Sequence, residues 1–131
     1  MPNKGQDILL IVDDDAINRT ILEQLFEADY TIAEAENGLE GLHKILEAPD
    51  LLCAVLLDVV MPEMNGLEVL RRLNREGLLD RLPVFLITAE TSGQVLQEAY
   101  RLGVMDVIGK PVVPYVVRRR VQSVIELYQA R

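Results

Sequence analysis

Two hydrophobic periods share this chain. Residues 8–12 form an unbroken apolar run of strand length, closed by Asp13, Asp14 and Asp15. Over 16–28 the apolar side chains Ile17, Ile21, Leu22, Leu25 and Phe26 recur at helical spacing. Residues 30–35 alternate and are short, which predicts a strand, and Asn37-Gly38 is a turn signal. Leu39, Leu42, Ile45 and Leu46 predict a second helix, closed by Pro49. Residues 51–57 are apolar at every position, as in the centre of a parallel sheet, and Asp58 ends them. The loop Met61-Pro62-Glu63-Met64-Asn65-Gly66 follows, with Asn65-Gly66 as its turn, and Leu67, Leu70 and Leu73 begin a third helix. A buried strand over 83–87 is ended by Thr88. Val95, Leu96, Ala99 and Leu102 predict a fourth helix, with Ser92 as N-cap and Gly103 as C-cap. A brief strand, Asp106–Gly109, is ended by Lys110-Pro111, and 114–130 is a final amphipathic helix.

Strands alternating with helices predict an α/β fold, a parallel sheet covered on both faces. Right-handed crossovers narrow its topology further. With 131 residues the chain reads as one domain, 1–131, since domains cluster at about 100–150 residues. Half the residues are hydrophobic, enough for a core without a metal or disulfide staple. The formal net charge of −8 is a poor match to nucleic acid or anionic lipid and fits a chain that meets proteins or a cation. The single cysteine, Cys53, lies in the apolar run 51–57 and reads as a small buried hydrophobe whose thiol stays protonated. No apolar stretch approaches the roughly 18 residues of a membrane span, and the first seven residues carry no hydrophobic region of signal-peptide type. A cytoplasmic protein is expected.

In open parallel sheets, ligands bind outside the carboxyl ends of the strands. Asp13, Asp14 and Asp15 follow the first strand, Asp58 the third, Thr88 the fourth and Lys110 the fifth. Singly, each has an ordinary role: Asp15 suits a helix N-cap, Thr88 a turn, and Lys110 a solvated charge. Together they bring several carboxylates, a hydroxyl and an amine to one rim. Clustered carboxylates repel one another and resist full ionisation. A hard divalent cation relieves that repulsion, and Mg²⁺ is commonly held by one or two carboxylates, waters and a phosphate oxygen. Lys110 would add a second positive charge, and Thr88 a hydrogen-bond donor for a phosphoryl oxygen.

Four pieces, Ile11-Val12-Asp13-Asp14-Asp15, Leu57-Asp58-Val59-Val60-Met61-Pro62-Glu63-Met64-Asn65-Gly66, Ile87-Thr88-Ala89 and Lys110-Pro111, resemble bacterial two-component response regulator receiver domains of the CheY-like superfamily. The resemblance covers about residues 7–128. It implies a doubly wound, flavodoxin-like (βα)5 sheet in strand order 2-1-3-4-5. It implies that Asp58 is the phosphoacceptor, taking a phosphoryl group from the phosphohistidine of a sensor histidine kinase or phosphotransfer protein. Asp14 matches the principal metal-binding acid. Asp58, the backbone carbonyl of Val60 and, through water, Asp13 complete an implied Mg²⁺ (or Mn²⁺) site. Thr88 and Lys110 match the groups that hold the phosphoryl oxygens, and Pro111 matches a proline after a cis peptide. Movement of Thr88 would switch the face of the fourth helix, fifth strand and fifth helix, a surface suited to a homodimer. Such a domain catalyses only its own phosphorylation and dephosphorylation. Neither nucleic acid nor membrane is expected as its direct partner.

The chain departs from the family pattern in places. The position three before the lysine, commonly aromatic, is Val107, so a rotating ring cannot report the switch there. Val60, two residues after Asp58, has no polar group to place a water, which predicts a long-lived phosphoryl form. Val112 stands after Lys110-Pro111 where an aromatic or isoleucine is more usual. On the last helix Val117, Val121, Val124 and Tyr128 predict a heptad-type stripe, its first half packed on the domain's own sheet. Arg118, Arg119 and Arg120 belong to a solvated or interface face. The stretch 114–131 resembles receiver ends that lead into a covalently linked output domain, so a larger parent regulator is expected. Rival readings are a receiver-like interaction module that is never phosphorylated, and a small phosphatase of the haloacid-dehalogenase type. The phosphatase needs further acids after the lysine, where only Glu126 follows. A flavodoxin-like cofactor binder would need a glycine-bearing phosphate cradle after the first strand, which is absent. The lone histidine, His43, sits in an ordinary helical pattern.

Overall fold

The computed structural model describes residues 7–130. The expectation of no signal-type region at residues 1–6 lies outside them, as does Arg131. Five strands form one parallel sheet: β1 (Ile8–Val12), β2 (Thr31–Ala35), β3 (Leu52–Leu57), β4 (Val84–Thr88) and β5 (Asp106–Gly109). Their order is β2-β1-β3-β4-β5, as the family resemblance implied. All six residues of β3 are buried, the physical reason its sequence shows no polar alternation.

Alternate residues of β1 supply two separate cores, as the two-residue period of a strand requires. Leu9 and Ile11 join Leu22 and Phe26 of α1 (Ala16–Phe26) and Val117, Val121 and Ile125 of α5 (Pro114–Gln129). Leu10 and Val12 join the opposite core, built on α2 (Gly38–Glu47), α3 (Gly66–Arg75) and α4 (Gly93–Leu102). The strand order reverses between β1 and β3, which leaves a crevice at their carboxyl ends.

Several element ends differ from the sequence expectation. Tyr30 precedes β2, and its ring lies 6.3 Å from that of Phe26. Pro49–Leu51 forms a 3₁₀ turn, so β3 starts one residue late with Leu51 left exposed. Pro83 cannot donate to a ladder, and β4 begins after it, although the Pro83 carbonyl accepts from Val55 N–H at 3.0 Å. Thr88 is the last residue of β4, paired with Gly109, rather than the first of a loop.

Asn37-Gly38 and Asn65-Gly66 are not free turns. Both asparagines are N-caps, accepting from Glu40 N–H at 2.7 Å and Glu68 N–H at 2.9 Å. The Glu68 carboxylate reaches back to Asn65 N–H and completes a capping box. The glycines serve close approach: a Cβ at Gly38 would lie 1.8 Å from the Met64 carbonyl oxygen, and one at Gly66 2.2 Å from that of Asp58. Asp15 caps α1, Ser92 caps α4, and Gly103 ends α4 in the left-handed region, all as expected.

The stripe on α5 runs differently. Val117, Val121 and Ile125 are fully buried, whereas Val124 and Tyr128 are only partly covered. The helix therefore keeps an i, i+4, i+8 face against the sheet instead of a drifting heptad seam. Arg118 pairs with Asp29 at 2.8 Å and donates to the Leu25 carbonyl at 3.0 Å, tying α5 to the end of α1. Cys53 is buried, and burial pushes its thiol up to about 12. Truncation to alanine separates the two faces of α5. Ile125→Ala should lower stability by about 2–5 kcal/mol, whereas Leu127→Ala, at an exposed position, should change it by less than about 0.5 kcal/mol in urea denaturation.

Candidate functional site

The crevice is lined by residues that end strands. Asp13 extends β1, its N–H donating to the Ala35 carbonyl at 3.1 Å. Asp58 extends β3, its N–H donating to the Val12 carbonyl at 3.0 Å. Both side chains are nearly fully buried. Lys110, after β5, is anchored by its backbone N–H on the Thr88 carbonyl at 3.0 Å. Its ammonium donates to Asp13 Oδ2 and Asp58 Oδ2, both at 2.8 Å. The remaining oxygens also have donors: Asp13 Oδ1 accepts from Asp15 N–H at 2.9 Å and Asp58 Oδ1 from Val59 N–H at 2.7 Å.

Asp14 is exposed, yet one of its carboxylate oxygens lies within 4.8 Å of one from Asp13 and one from Asp58. Three carboxylates thus face a single ammonium. Burial pushes the Asp13 carboxyl above its ordinary range, and the Lys110 and Asp15 hydrogen bonds only partly offset this. For Lys110, burial favours the neutral amine, but the hydrogen bonds and charges of Asp13 and Asp58 outweigh it and raise its pKa. An all-oxygen acidic donor set with surplus negative charge fits a hard divalent cation.

The other expected positions fall nearby in different states. Thr88 is fully buried, and its hydroxyl accepts from Glu90 N–H at 3.1 Å. The Val60 side chain is exposed. The Lys110–Pro111 peptide is cis. Val107 is half-buried against the core of α2, α3 and α4. Its N–H is held by the Tyr100 hydroxyl at 3.2 Å and Asp106 Oδ1 at 2.9 Å. Tyr100 OH also donates to Asp106 Oδ1 at 3.0 Å, so α4 ties to β5 through a side chain. Asp15 is a helix cap and not part of the acid cluster. His43 is exposed on α2, 3.5 Å from Glu47 and away from the crevice. Among the described residues no helix is long and apolar enough to cross a membrane.

Two contributors escape a reading of the sequence alone. Arg19 Nη1 donates to the Asp13 carbonyl at 2.7 Å, and its Nε donates to Glu34 Oε1 at 3.1 Å. The available signal was a cation near the start of α1, where a helix favours acids. Tyr100 left no trace beyond being one exposed aromatic on a helix.

Fold and site together define a doubly wound α/β domain with an acidic, lysine-bridged pocket at its topological switch point. The chain belongs to the response regulator receiver domain family, whose model matches residues 9–122. It is similar to the "Transcriptional regulatory protein AfsQ1" of Streptomyces coelicolor, 35% identical over 90% of this chain and 50% of that protein. It is also similar to the "Probable cyclic di-GMP phosphodiesterase" of Vibrio cholerae, 32% identical over 94% of this chain and 27% of that protein. The chain therefore spans half or less of these curated relatives. Among solved structures it resembles a chain of the CheX-CheY-BeF3-Mg²⁺ complex from Borrelia burgdorferi, with a TM-score of 0.83 and 28% identity, covering 90% of this chain and 88% of that one.

A raised Asp13 pKa has a defined sign. Its folded value lies above the unfolded 3.8, so the stability associated with protonation is complete below that value and is lost as pH rises through the folded pKa. At neutral pH the ionised group is a liability in the metal-free fold. Asp13→Asn should raise the metal-free Tm at pH 7, and the gain over wild type should shrink on acidification toward the unfolded value. Calorimetry across pH checks both.

Proposed function

We propose that this chain is a phosphoacceptor receiver domain that takes a phosphoryl group on Asp58 from the phosphohistidine of a sensor histidine kinase or phosphotransfer protein. The observation that carries this reading is Lys110, whose ammonium joins the acids at the ends of β1 and β3 at 2.8 Å each. Of the other positions in the family's reactive set, Asp14 follows β1, Val60 follows β3 and Thr88 ends β4.

In this reading a carboxylate oxygen of Asp58 forms a bond to phosphorus as the phosphorus–nitrogen bond to imidazole breaks. The phosphohistidine supplies the phosphoryl group, and Asp58 keeps it as an acyl phosphate. Lys110 stands within hydrogen-bond reach of Asp58 and can hold a phosphoryl oxygen bonded there. Asp14, Asp58, the Val60 carbonyl and, through water, Asp13 would hold Mg²⁺ or Mn²⁺, which would neutralise charge on the phosphoryl oxygens. The hydroxyl of Thr88 would turn from its loop to a phosphoryl oxygen and draw the β4–α4 loop with it. With Val107 in place of a ring, the change would reach α4, β5 and α5 through the backbone and the Tyr100–Asp106 tie. That face is the proposed surface for a homodimer. The domain turns over no separate substrate.

Ile17, Val60, Val113 and Tyr115 are exposed apolar side chains just beyond the ends of β1, β3 and β5. They suit docking of a donor protein around the pocket. The greater lengths of the AfsQ1 and phosphodiesterase relatives support a covalently linked output domain after α5, and we read the parent as a cytoplasmic regulator.

Acetyl phosphate with Mg²⁺ should add the mass of one phosphoryl group to the intact chain, and Asp58→Asn should abolish the addition. Label turning over continuously as free phosphate would favour the phosphatase. No label, and no binding of beryllofluoride with Mg²⁺, would favour the unphosphorylated module. Because the Val60 side chain offers no polar atom for water, the phosphoryl form should outlast seconds, and a half-life of seconds in purified protein contradicts that expectation. Mg²⁺ at a hundredfold over Kd should stabilise the fold by about 2.7 kcal/mol, and Asp14→Ala should lose most of this in thermal unfolding.

A further inference from the structure

We infer that Arg19 is a positioning residue of the acid pocket: by holding the Asp13 carbonyl, with Glu34 as its brace, it sets the pocket's affinity for a divalent cation. This rests on the metal-dependent reading above.

Asp13 N–H makes the last ladder bond to β2, on Ala35 at 3.1 Å. β2 ends at that residue, and the chain turns into α2. A longer strand would offer its next N–H to the Asp13 carbonyl. Arg19 stands in that place, with Nη1 at 2.7 Å from the carbonyl and Nε at 3.1 Å from Glu34. Only 12% of its side chain is exposed, unlike the loose surface pairs elsewhere in the chain. A planar guanidinium can hold both partners at once, and its fork fixes their relative position. Glu34 is secured in turn, because its carbonyl accepts from Lys44 on α2 and Lys44 pairs with Glu40 at 3.4 Å. The bracing runs from α2 through β2 and α1 to the end of β1.

The consequence falls on the carboxylates. Lys110 and Asp15 N–H touch the Asp13 carboxylate itself. The Ala35 and Arg19 bonds fix the backbone from which Asp13 and its neighbour Asp14 project. Without Arg19, the part-buried carbonyl of the peptide joining these two acids loses its protein donor and the peptide gains freedom to tilt. Outer partners that orient metal ligands are commonly worth 10–100-fold in affinity. The location of Arg19 also has no local rationale, since the first turn of α1 carries no acid and a cation there opposes the helix dipole.

The test is Mn²⁺ binding by electron paramagnetic resonance and Mg²⁺ binding by calorimetry, on wild type, R19M, R19K, E34Q and R19M/E34Q. R19M should weaken binding about tenfold or more. R19K should recover only part of the loss, because an ammonium replaces a two-bond fork. E34Q should lose less than R19M and add nothing in the R19M background, the non-additivity expected of one strut. Near-ultraviolet circular dichroism verifies that each variant is folded, and R19K and E34Q keep the test open if R19M is not. Affinity within about twofold of wild type in folded R19M, or additive losses, overturns the inference. Absence of cation binding by wild type rejects the metal-dependent reading and the inference with it.

Discussion

One ammonium among three carboxylates is the arrangement on which the rest depends. Lys110 satisfies an oxygen of Asp13 and an oxygen of Asp58, yet it cancels only part of the charge gathered there. In a solvated surface cluster this imbalance would be screened. Here Asp13 and Asp58 are buried, so the residual charge is screened less than it would be on the surface. The pocket therefore keeps surplus negative charge, which a cation would relieve.

The fold makes that pocket possible by removing every alternative. β1 and β3 are buried on both faces between two apolar cores, so their carboxyl ends cannot shift without disturbing many side chains. Asp13 and Asp58 then continue the ladders for one more hydrogen bond each. Position is inherited from the sheet, and chemistry is added at its rim. Burial of the Asp13 carboxylate works against its ionised form, a local cost to stability at neutral pH.

Much of this was legible because strands in a doubly wound sheet are punctuated abruptly. Apolar runs end at Asp13, Asp58 and Lys110, and a polar residue just past a buried strand has few places to be. Thr88 was visible for the same reason, though it proved to be the last residue of its strand. The illegible parts were those set by distant backbone. Asn-Gly pairs suit a turn or a helix start equally well, and only the carbonyls of Met64 and Asp58 pressing on Gly38 and Gly66 select the latter. The buried stripe on α5 depends on how that helix crosses the sheet, so Val124 and Ile125 could not be ranked from spacing. Arg19 answers a carbonyl left over where β2 stops, a need that arises only once two strands are paired.

The two glycine contacts bear on how this domain tolerates change. The segment after Asp58 is clamped at both ends, by Gly66 against the Asp58 carbonyl and by Met64 against Gly38. It behaves as a rivet joining α2 to the sheet and not as a dangling lid. Anyone grafting a reporter peptide or fluorophore into this stretch would be cutting a structural joint. Gly77, between α3 and β4, has open space where a Cβ would stand but a φ of +71°, so a graft there should enter beside the glycine and keep it.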